Sequence, residues 1–371
     1  MLAHGQTVIN YMEQYAPKHY AMANDAIGLQ LGTINKKLDR VLIALDVTEE
    51  VVQEAIDKKV ALIIAHHAIM YRPIKHLRTD FPAGKLYEQL IKNDIAVYIA
   101  HTNLDVTDGG VNDVLAEALG LKGLIALEDI HTEKCYKLVV YVPKSHHEQL
   151  LSALFAAGAG HIGDYSHCSF NVEGMGTFMP HEGTQPFIGQ AGKLERVSEI
   201  RIETVVPESV RRKVIQAMLK VHPYEEVAYD LYSMELKGRS FGIGRVGKLS
   251  MPQTLGELAE LVKLAYDVPV VRIVGELDRM MRKVAVLGGA GRDYVKAAMY
   301  AGADVLITGD IDYHTAQDAL AAGFCLIDAG HNIEKLLKPA VARILEEMLR
   351  KDGYVTEVIA SAVNTEPFQF I

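Results

Sequence analysis

The strongest constraint on this chain is a segment that occurs twice. RVLIALDVTEEVVQEAIDKKVALIIAHH runs from Arg40 to His67. It reads as a buried strand (Val41 to Leu45), a turn, an amphipathic helix from about Glu49, and a second strand, Ala61 to Ala65, that stops at two adjacent histidines. Asp46 and Thr48 are candidate caps for that helix, and Glu49 and Glu50 complement its positive end. A third strand, IAVYIAHTNLD, follows a helix around Leu86 to Lys92. The order βαβαβ favours a parallel sheet covered by helices. RKVAVLGGAGRDYVKAAMYAGADVLITGD, Arg282 to Asp310, lies over Asp39 to His67 without a gap. Val41 falls on Val284, Val52 on Val295, Ala55 on Ala298, and Leu62-Ile63-Ile64 on Val305-Leu306-Ile307, while the two histidines fall on Gly309 and Asp310. After one more helix, about Thr315 to Ala322, FCLIDAGHNIE occupies the place that VYIAHTNLD held. We read an internal duplication, so the expected core is α/β, built from two similar three-layer halves.

Between the halves the character changes. The stretch reads β (YKLVVYVP), α (HHEQLLSALFAAG), β (CSFNVEG), a Gly-rich loop, β (RIETVVP), α (SVRRKVIQAMLKVH) and β (EVAYDLYSM). This β-α-β-β-α-β order is the ferredoxin-like plan. It starts where the duplicated pattern breaks off and ends where it resumes, so it reads as an insertion. The expected boundaries are 1–126 for the first half, 127–240 for the insert and 241–371 for the second half.

Composition narrows the function classes. Apolar residues make up 49% and charged residues 23%, which describes a soluble globular protein. The net charge of −9 gives no overall electrostatic case for a nucleic-acid partner, and RRK at 211–213 reads as a solvated helix face. The amino terminus lacks an apolar core with a small-residue cleavage pattern, and no stretch reaches the roughly twenty apolar residues of a membrane span. Cys135, Cys168 and Cys325 are odd in number and far apart, which argues against a disulfide framework and for a reducing, cytoplasmic setting.

The chemistry is expected at strand ends, where open α/β sheets bind ligands. Neutral imidazole is the commonest nitrogen ligand of transition metals, and His66 and His67 stand where a strand stops. Asp105 closes IAHTNLD four residues after His101, and His331 and Glu334 follow the last strand of the second half. Histidine nitrogens with two carboxylates and no thiolate suit zinc, iron or manganese, and a carboxylate can bridge two ions. H-x-x-E spacing puts His331 and Glu334 on one face if a helix starts there. Singly, each has a plainer reading: Asp105 as a turn cap, His331 and Glu334 as a helix-start pair. His101 reads as an outer donor that orients a ligand, and Asp310 and His314, in TGDIDYH, as lining of the same cleft. Gly242, Gly244 and Gly247 satisfy G-x-G-x-x-G, but Pro252 follows and no helix opens there, so they read as a tight re-entry into the core. His222, Glu225 and Glu226 of VHPYEE read as a turn ahead of the insert's last strand, with a second metal site as the alternative.

HHAIMYRP, AHTNLD, GIGRVG, TGD followed by His314, and DAGHNIE together resemble the motif set of the GTP cyclohydrolase 1 type 2 homologues, also called the NGG-interacting-factor-3-like family. The resemblance covers both outer parts of the chain. It implies a toroidal, hexameric homo-oligomer with two divalent metal ions per subunit facing an interior cavity, zinc foremost. Carried over by position, the ligands are His66, His67, Asp105, His331 and Glu334. Many members space the last pair as H-x-x-x-E, whereas this chain has H-x-x-E, and the aromatic that often precedes the early D-N-x-G-L type motif is absent from NDAIGLQLG. The insert resembles CutA and PII-type folds through GHIGDYSHCSF, GTQPFIG and HPYEEVAYD. The implied activity is hydrolysis of a nucleotide or related small molecule by metal-activated water, with His101, Asp310 or His314 handling protons. The alternative is a non-catalytic metal-binding or regulatory assembly.

Overall fold

In the computed structural model, which describes residues 1–371, the repeated segment forms two parallel ladders of identical spacing. Val41 pairs with Leu62 and Val284 with Val305, a separation of 21 residues in both cases (62 − 41 and 305 − 284). In the first half the strands Arg40–Ala44, Leu62–Ala65 and Ala96–Ile99 lie side by side and parallel. In the second half Met280–Ala290, Val305–Gly309 and Cys325–Asp328 do the same. Each set is extended past its third strand by an antiparallel strand that precedes it in the chain, Gly28–Leu31 in one and Arg272–Val274 in the other. The opposite edges differ. The first sheet ends in the parallel carboxyl-terminal strand Glu357–Ala360, and the second meets the antiparallel strand Tyr229–Thr254.

Every residue of the strands Leu62–Ala65, Ala96–Ile99, Val305–Gly309 and Cys325–Asp328 is buried. Parallel sheets require this, because their crossover helices cover both faces. The alternation of side chains divides the core into layers. Val41, Ile43, Leu62 and Ile64 from one sheet and Val284, Val286, Val305 and Ile307 from the other enter a single shared cluster. Leu42 and Ile63 turn to a second cluster under the helices Glu49–Asp57 and Pro82–Lys92, and Ala285 and Leu306 turn to a third. Each such fully buried aliphatic side chain contributes about 1.5–3 kcal/mol relative to exposure.

Two local expectations differ. Thr48 alone caps the Glu49–Asp57 helix, accepting from the Val51 N–H at 3.4 Å, while Asp46 is drawn off to a histidine. Asp105 does not close a strand: that strand stops at Ile99, and Asp105 lies in the short helix Thr102–Val106. No helix is long and apolar enough to cross a membrane.

The chain divides into two compact units, Met1–His131 with Phe241–Ile371, and Thr132–Ser240. The second contains the helices His147–Ala156 and Arg211–Val221, whose Leu150, Leu154, Val214 and Met218 pack on Leu138, Val140 and Ile202. Within it, the Cys135 to Pro143 part of the strand Lys122–Pro143, and the strand Ser169–Phe178, both pair antiparallel with Glu195–Pro207. Gly242, Gly244 and Gly247 lie within the strand Tyr229–Thr254 and no helix opens at the third. A Cβ at Gly242 would collide with the Glu128 carbonyl, so close backbone approach accounts for it. Between them the buried Arg245 grips Asp113 through two hydrogen bonds of 2.7 Å and the Thr107 carbonyl at 3.2 Å. This bidentate pair fixes the segment that follows the Asp105 helix.

Candidate metal centre

His66 and His67 leave the Leu62–Ala65 strand in succession, with backbone N–H groups still bonded to Ala44 and Leu45. The His66 Nδ1–H donates to the Ala100 carbonyl at 3.0 Å, so its Nε2 faces away from that anchor, into the protein. His67 is held likewise, with Nδ1 2.7 Å from Asp46 Oδ1 and Nε2 3.1 Å from Glu334 Oε2. Thr365 donates to the other oxygen of Asp46 and locks it in place. From the second half, His331 Nδ1 lies 2.6 Å from Asp310 Oδ2, and its Nε2 is 3.3 Å from the Nε2 of His67. An outer acceptor on Nδ1 leaves the Nε2 lone pair for a cation and sets the ring's direction.

Glu334 is the hinge of the arrangement. Oε1 lies 3.7 Å from His66 Nε2, while Oε2 lies 3.1 Å from His67 Nε2 and 3.4 Å from His331 Nε2. Asp105 Oδ1 completes the inner side at 3.6 Å from His66 Nε2. The short H-x-x-E spacing works because His331–Leu336 is a 3-10 helix. Residues three apart eclipse in that geometry, where an α-helix brings residues three or four apart together. Glycines give the carboxylate its room: at Gly289, with φ +65°, a Cβ would sit 2.8 Å from Glu334 Oε1. Asn112 joins the halves, donating to the Asp105 carbonyl at 3.0 Å and accepting from the Gly288 N–H at 2.9 Å.

Two atoms on the inner side of the centre, His66 Nε2 and Asp105 Oδ1, are buried with no hydrogen-bond partner. An orphaned buried polar atom costs about 1–3 kcal/mol, more if charged. A divalent cation held by His66 and Asp105 would satisfy both at once. The 3.6 and 3.7 Å separations are too long for hydrogen bonds and approach the roughly 3–3.5 Å between two donors that share an ion at about 2.0–2.2 Å. Three groups have ligand atoms within 4.8 Å of one another: His66, Asp105 and Glu334; His67, His331 and Glu334; and His66, His67 and His101. The donors fit a metal, and nitrogen and oxygen without thiolate fit zinc, iron or manganese.

The electrostatics agree. Burial opposes charge on His67, but hydrogen bonds and charge from Asp46 and Glu334 outweigh it and push the imidazole up to about 10. His331, bonded to Glu334 and Asp310 against a smaller burial effect, is pushed up to about 9. His66 is also raised: burial lowers it, and the carboxylates of Asp105 and Glu334 overcome that. The carboxylates split. Burial lifts Asp105 to about 6, whereas in Glu334 the surrounding histidines outweigh burial and hold the carboxyl well below its usual range. A pocket of this kind holds protons until a stronger cation displaces them.

The structure thus gathers His66, His67, Asp105, His331 and Glu334, and it adds His101. That ring is held by Asp25 Oδ1 at 2.9 Å, and Asp25 in turn accepts from the Thr102 N–H at 3.1 Å. Hydrogen bonds from His101 and Thr102 overcome burial and take Asp25 down to about 2. Asp310 orients His331. His314 lies apart: Asp312 caps the Tyr313–Ala321 helix by accepting from the His314 N–H, and the exposed imidazole lies against Tyr313. It does not line the cleft with Asp310 as the sequence reading expected. Sequence reasoning missed the outer acceptors Asp25 and Asp46, which lie far from their histidines in the chain, and Thr365, whose hydroxyl holds Asp46. In VHPYEE both nitrogens of His222 are engaged, Nε2 by the Tyr141 carbonyl at 2.9 Å and Nδ1 by the Tyr224 N–H at 3.1 Å, which leaves none for a metal.

Beside the centre opens a cavity of about 720 Å³, lined by His67, His331, Asp310, Arg272 and the tail residues Phe368 and Phe370. The inner position is closed, since the His66 side chain is 0% exposed, while the His331 side chain is 42% exposed.

A family model described as Duf34/NIF3 (NGG1p interacting factor 3) matches residues 3–367. Proteins named GTP cyclohydrolase 1 type 2 homolog from Halalkalibacterium halodurans and Bacillus subtilis are each 52% identical to this chain, covering 100% and 99% of it and 100% and 98% of their own lengths. The crystal structure of a Bacillus cereus protein related to NIF3 superposes with a TM-score of 0.95 at 50% identity, covering 100% of both chains. The chain, whose motifs, fold and histidine-carboxylate cluster are now in view, belongs to the Duf34/NIF3 family.

Proposed function

We propose that this protein is a hydrolase that would work with two divalent ions, held by His66 and Asp105 on the inner side, by His67 and His331 on the outer side, and by Glu334 between them. The observation that carries this reading is the Glu334 carboxylate, whose two oxygens face different histidines across the join between the halves. Bound ions of this kind lower the pKa of a water toward neutrality and polarise the atom under attack. The chain's own part is to hold three Nε2 atoms in place through Ala100, Asp46 and Asp310, to keep water from the inner position, and to leave the outer one open to the cavity. In this reading His101, tethered by Asp25 and with its ring beside those of His66 and His67, would accept or return the proton.

The names of the relatives make GTP the first substrate to try, with attack at the guanine imidazole ring and release of formate. One feature of the cavity bears on it: Arg272, the one cationic side chain besides histidine in the lining, is already bonded to Asp328. Smaller or less anionic heterocycles therefore belong in the same screen. Protein reconstituted with zinc, iron or manganese is assayed for formate from GTP. Activity lost on His66→Ala and His67→Ala supports the reading, and no formate above those controls removes GTP.

The closed inner position favours a second reading, a non-catalytic metal-binding or regulatory assembly, in which both ions stay inert. Metal that exchanges neither water nor an added azide ligand would favour it. To the same proposal belong a cytoplasmic location, a hexameric ring, testable by sedimentation, and a ferredoxin-like reading of the insert. Its elements run β-α-β-β-α-β, with Glu195–Pro207 between Lys122–Pro143 and Ser169–Phe178.

A further inference from the structure

The insert contains a cavity of its own, about 560 Å³ and lined wholly by residues of Thr132–Ser240. We infer that it is a second ligand site and that it takes an organic cation, an amine or quaternary ammonium carried on an apolar, planar body. The walls are apolar, with Met175, Phe178, Met179, Phe187 and Ile188 among them. Three of these, Met175, Met179 and Phe187, are exposed, at 66%, 49% and 50%. Large apolar side chains stay uncovered around a cavity at a cost that a ligand relieves.

At the polar end stands Glu199, 8% exposed. Its Oε1 accepts from the Tyr224 hydroxyl at 2.7 Å, which leaves Oε2 as its second acceptor. Gly176, on the neighbouring strand, keeps that oxygen open, because a Cβ there would collide with it. A largely buried carboxylate with a second acceptor oxygen favours a cation or an N–H donor. The lining also gathers three aromatic rings, with the Tyr224 centroid 5.8 Å from that of Phe178 and 6.5 Å from that of Phe187, and such rings attract cations.

The charge balance decides the sign. Glu173 is paired with Lys144 at 2.6 Å and Arg201 with Glu203 at 2.8 Å, which leaves Glu199, Glu225 and Glu226 as the charges in the lining without a cationic partner. An anion would meet carboxylates with no free cation to offset them. This also accounts for VHPYEE. His222 spends both nitrogens on the backbone of Tyr141 and Tyr224 and so sets the turn that delivers Tyr224, Glu225 and Glu226 to the cavity.

The test is a fluorescence titration of full-length, metal-loaded protein with 1-naphthylmethylammonium. The chain has no tryptophan to interfere. The control is 1-naphthylacetate, the same ring with the opposite charge. Saturable binding of the cation is expected, with none of the acetate, and unchanged binding after a chelator strips the metal centre. Glu199→Gln is expected to weaken it at least about tenfold, and Phe187→Ala, at an exposed rim position, about threefold to tenfold. If melting shows that Glu199→Gln unfolds the insert, Phe187→Ala decides. Equal affinity for the acetate, loss of binding with the metal, or parental affinity in the folded variants overturns the proposal.

Discussion

The two halves share a backbone and divide the chemistry. Each ends a strand in a histidine whose Nδ1 is held by an aspartate from the neighbouring strand end: His67 with Asp46, and His331 with Asp310. The device is displaced by one strand between the copies. His67 follows the middle parallel strand of its sheet, whereas His331 follows the third, and Asp310 occupies the place in the repeat that His67 holds in the first copy. The first half supplies the buried donors His66 and Asp105, and the second supplies the carboxylate that faces both sides. A duplicated fold therefore need not carry a duplicated site. Its two strand edges can instead contribute unlike parts to one centre at their join.

This division of labour can be broken, most severely at the residue both groups share. Glu334→Gln removes the charge at the centre of both donor groups. The expected result is loss of both ions, with affinity down at least about a thousandfold, read by elemental analysis after dialysis. Retention of one full equivalent would show that the halves bind separately.

Next in size is the pH response. In the metal-free protein His67 and His331 have raised values, about 10 and about 9. Both are protonated at neutral pH, so an entering ion must displace a proton from each. The affinity for zinc then rises with pH and levels off only as pH passes through those values, approaching about a hundredfold per pH unit where both protons are released. Calorimetry in buffers of different ionisation enthalpy measures the protons directly, and a flat profile between pH 6 and 8 contradicts the arrangement.

Gly289→Ala replaces no donor residue but adds a Cβ at φ +65°, 2.8 Å from Glu334 Oε1. A loss of about tenfold to a hundredfold in metal affinity is expected, with the fold kept. The smallest effects come from the outer acceptors. Asp46→Asn and Asp310→Asn should each weaken metal binding by about tenfold, up to a hundredfold. Asp46→Asn should cost more, because the Asp46 side chain is 34% exposed and bonded to Thr365, against 49% for Asp310. The reverse order would mean that the second half, not the first, sets the outer position.

Much of this was legible in the residues. The gapless overlay of Asp39–His67 on Arg282–Asp310 predicts the equal strand registers, since burial on both faces leaves a strand little freedom to slip. His66, His67 and the H-x-x-E pair announce themselves by residue type at strand ends. The outer acceptors do not. Asp46 reads as well as a helix cap, and Asp25 lies 76 residues from His101. Asp105 reads as the close of a strand until the short Thr102–Val106 helix is seen. Gly289 acts through a side chain it lacks.

By itself the sequence determined which segments become buried parallel strands and which side chains can bind a cation, because hydrophobic pattern and residue chemistry are local properties. Only the tertiary structure decided that donors from opposite ends of the chain meet. It also decided that a 3-10 turn brings Glu334 beside His331, and that aspartates remote in sequence aim the imidazoles. Those outcomes depend on how two sheets pack over a shared core, and no local pattern encodes the distance between residues brought together by that packing.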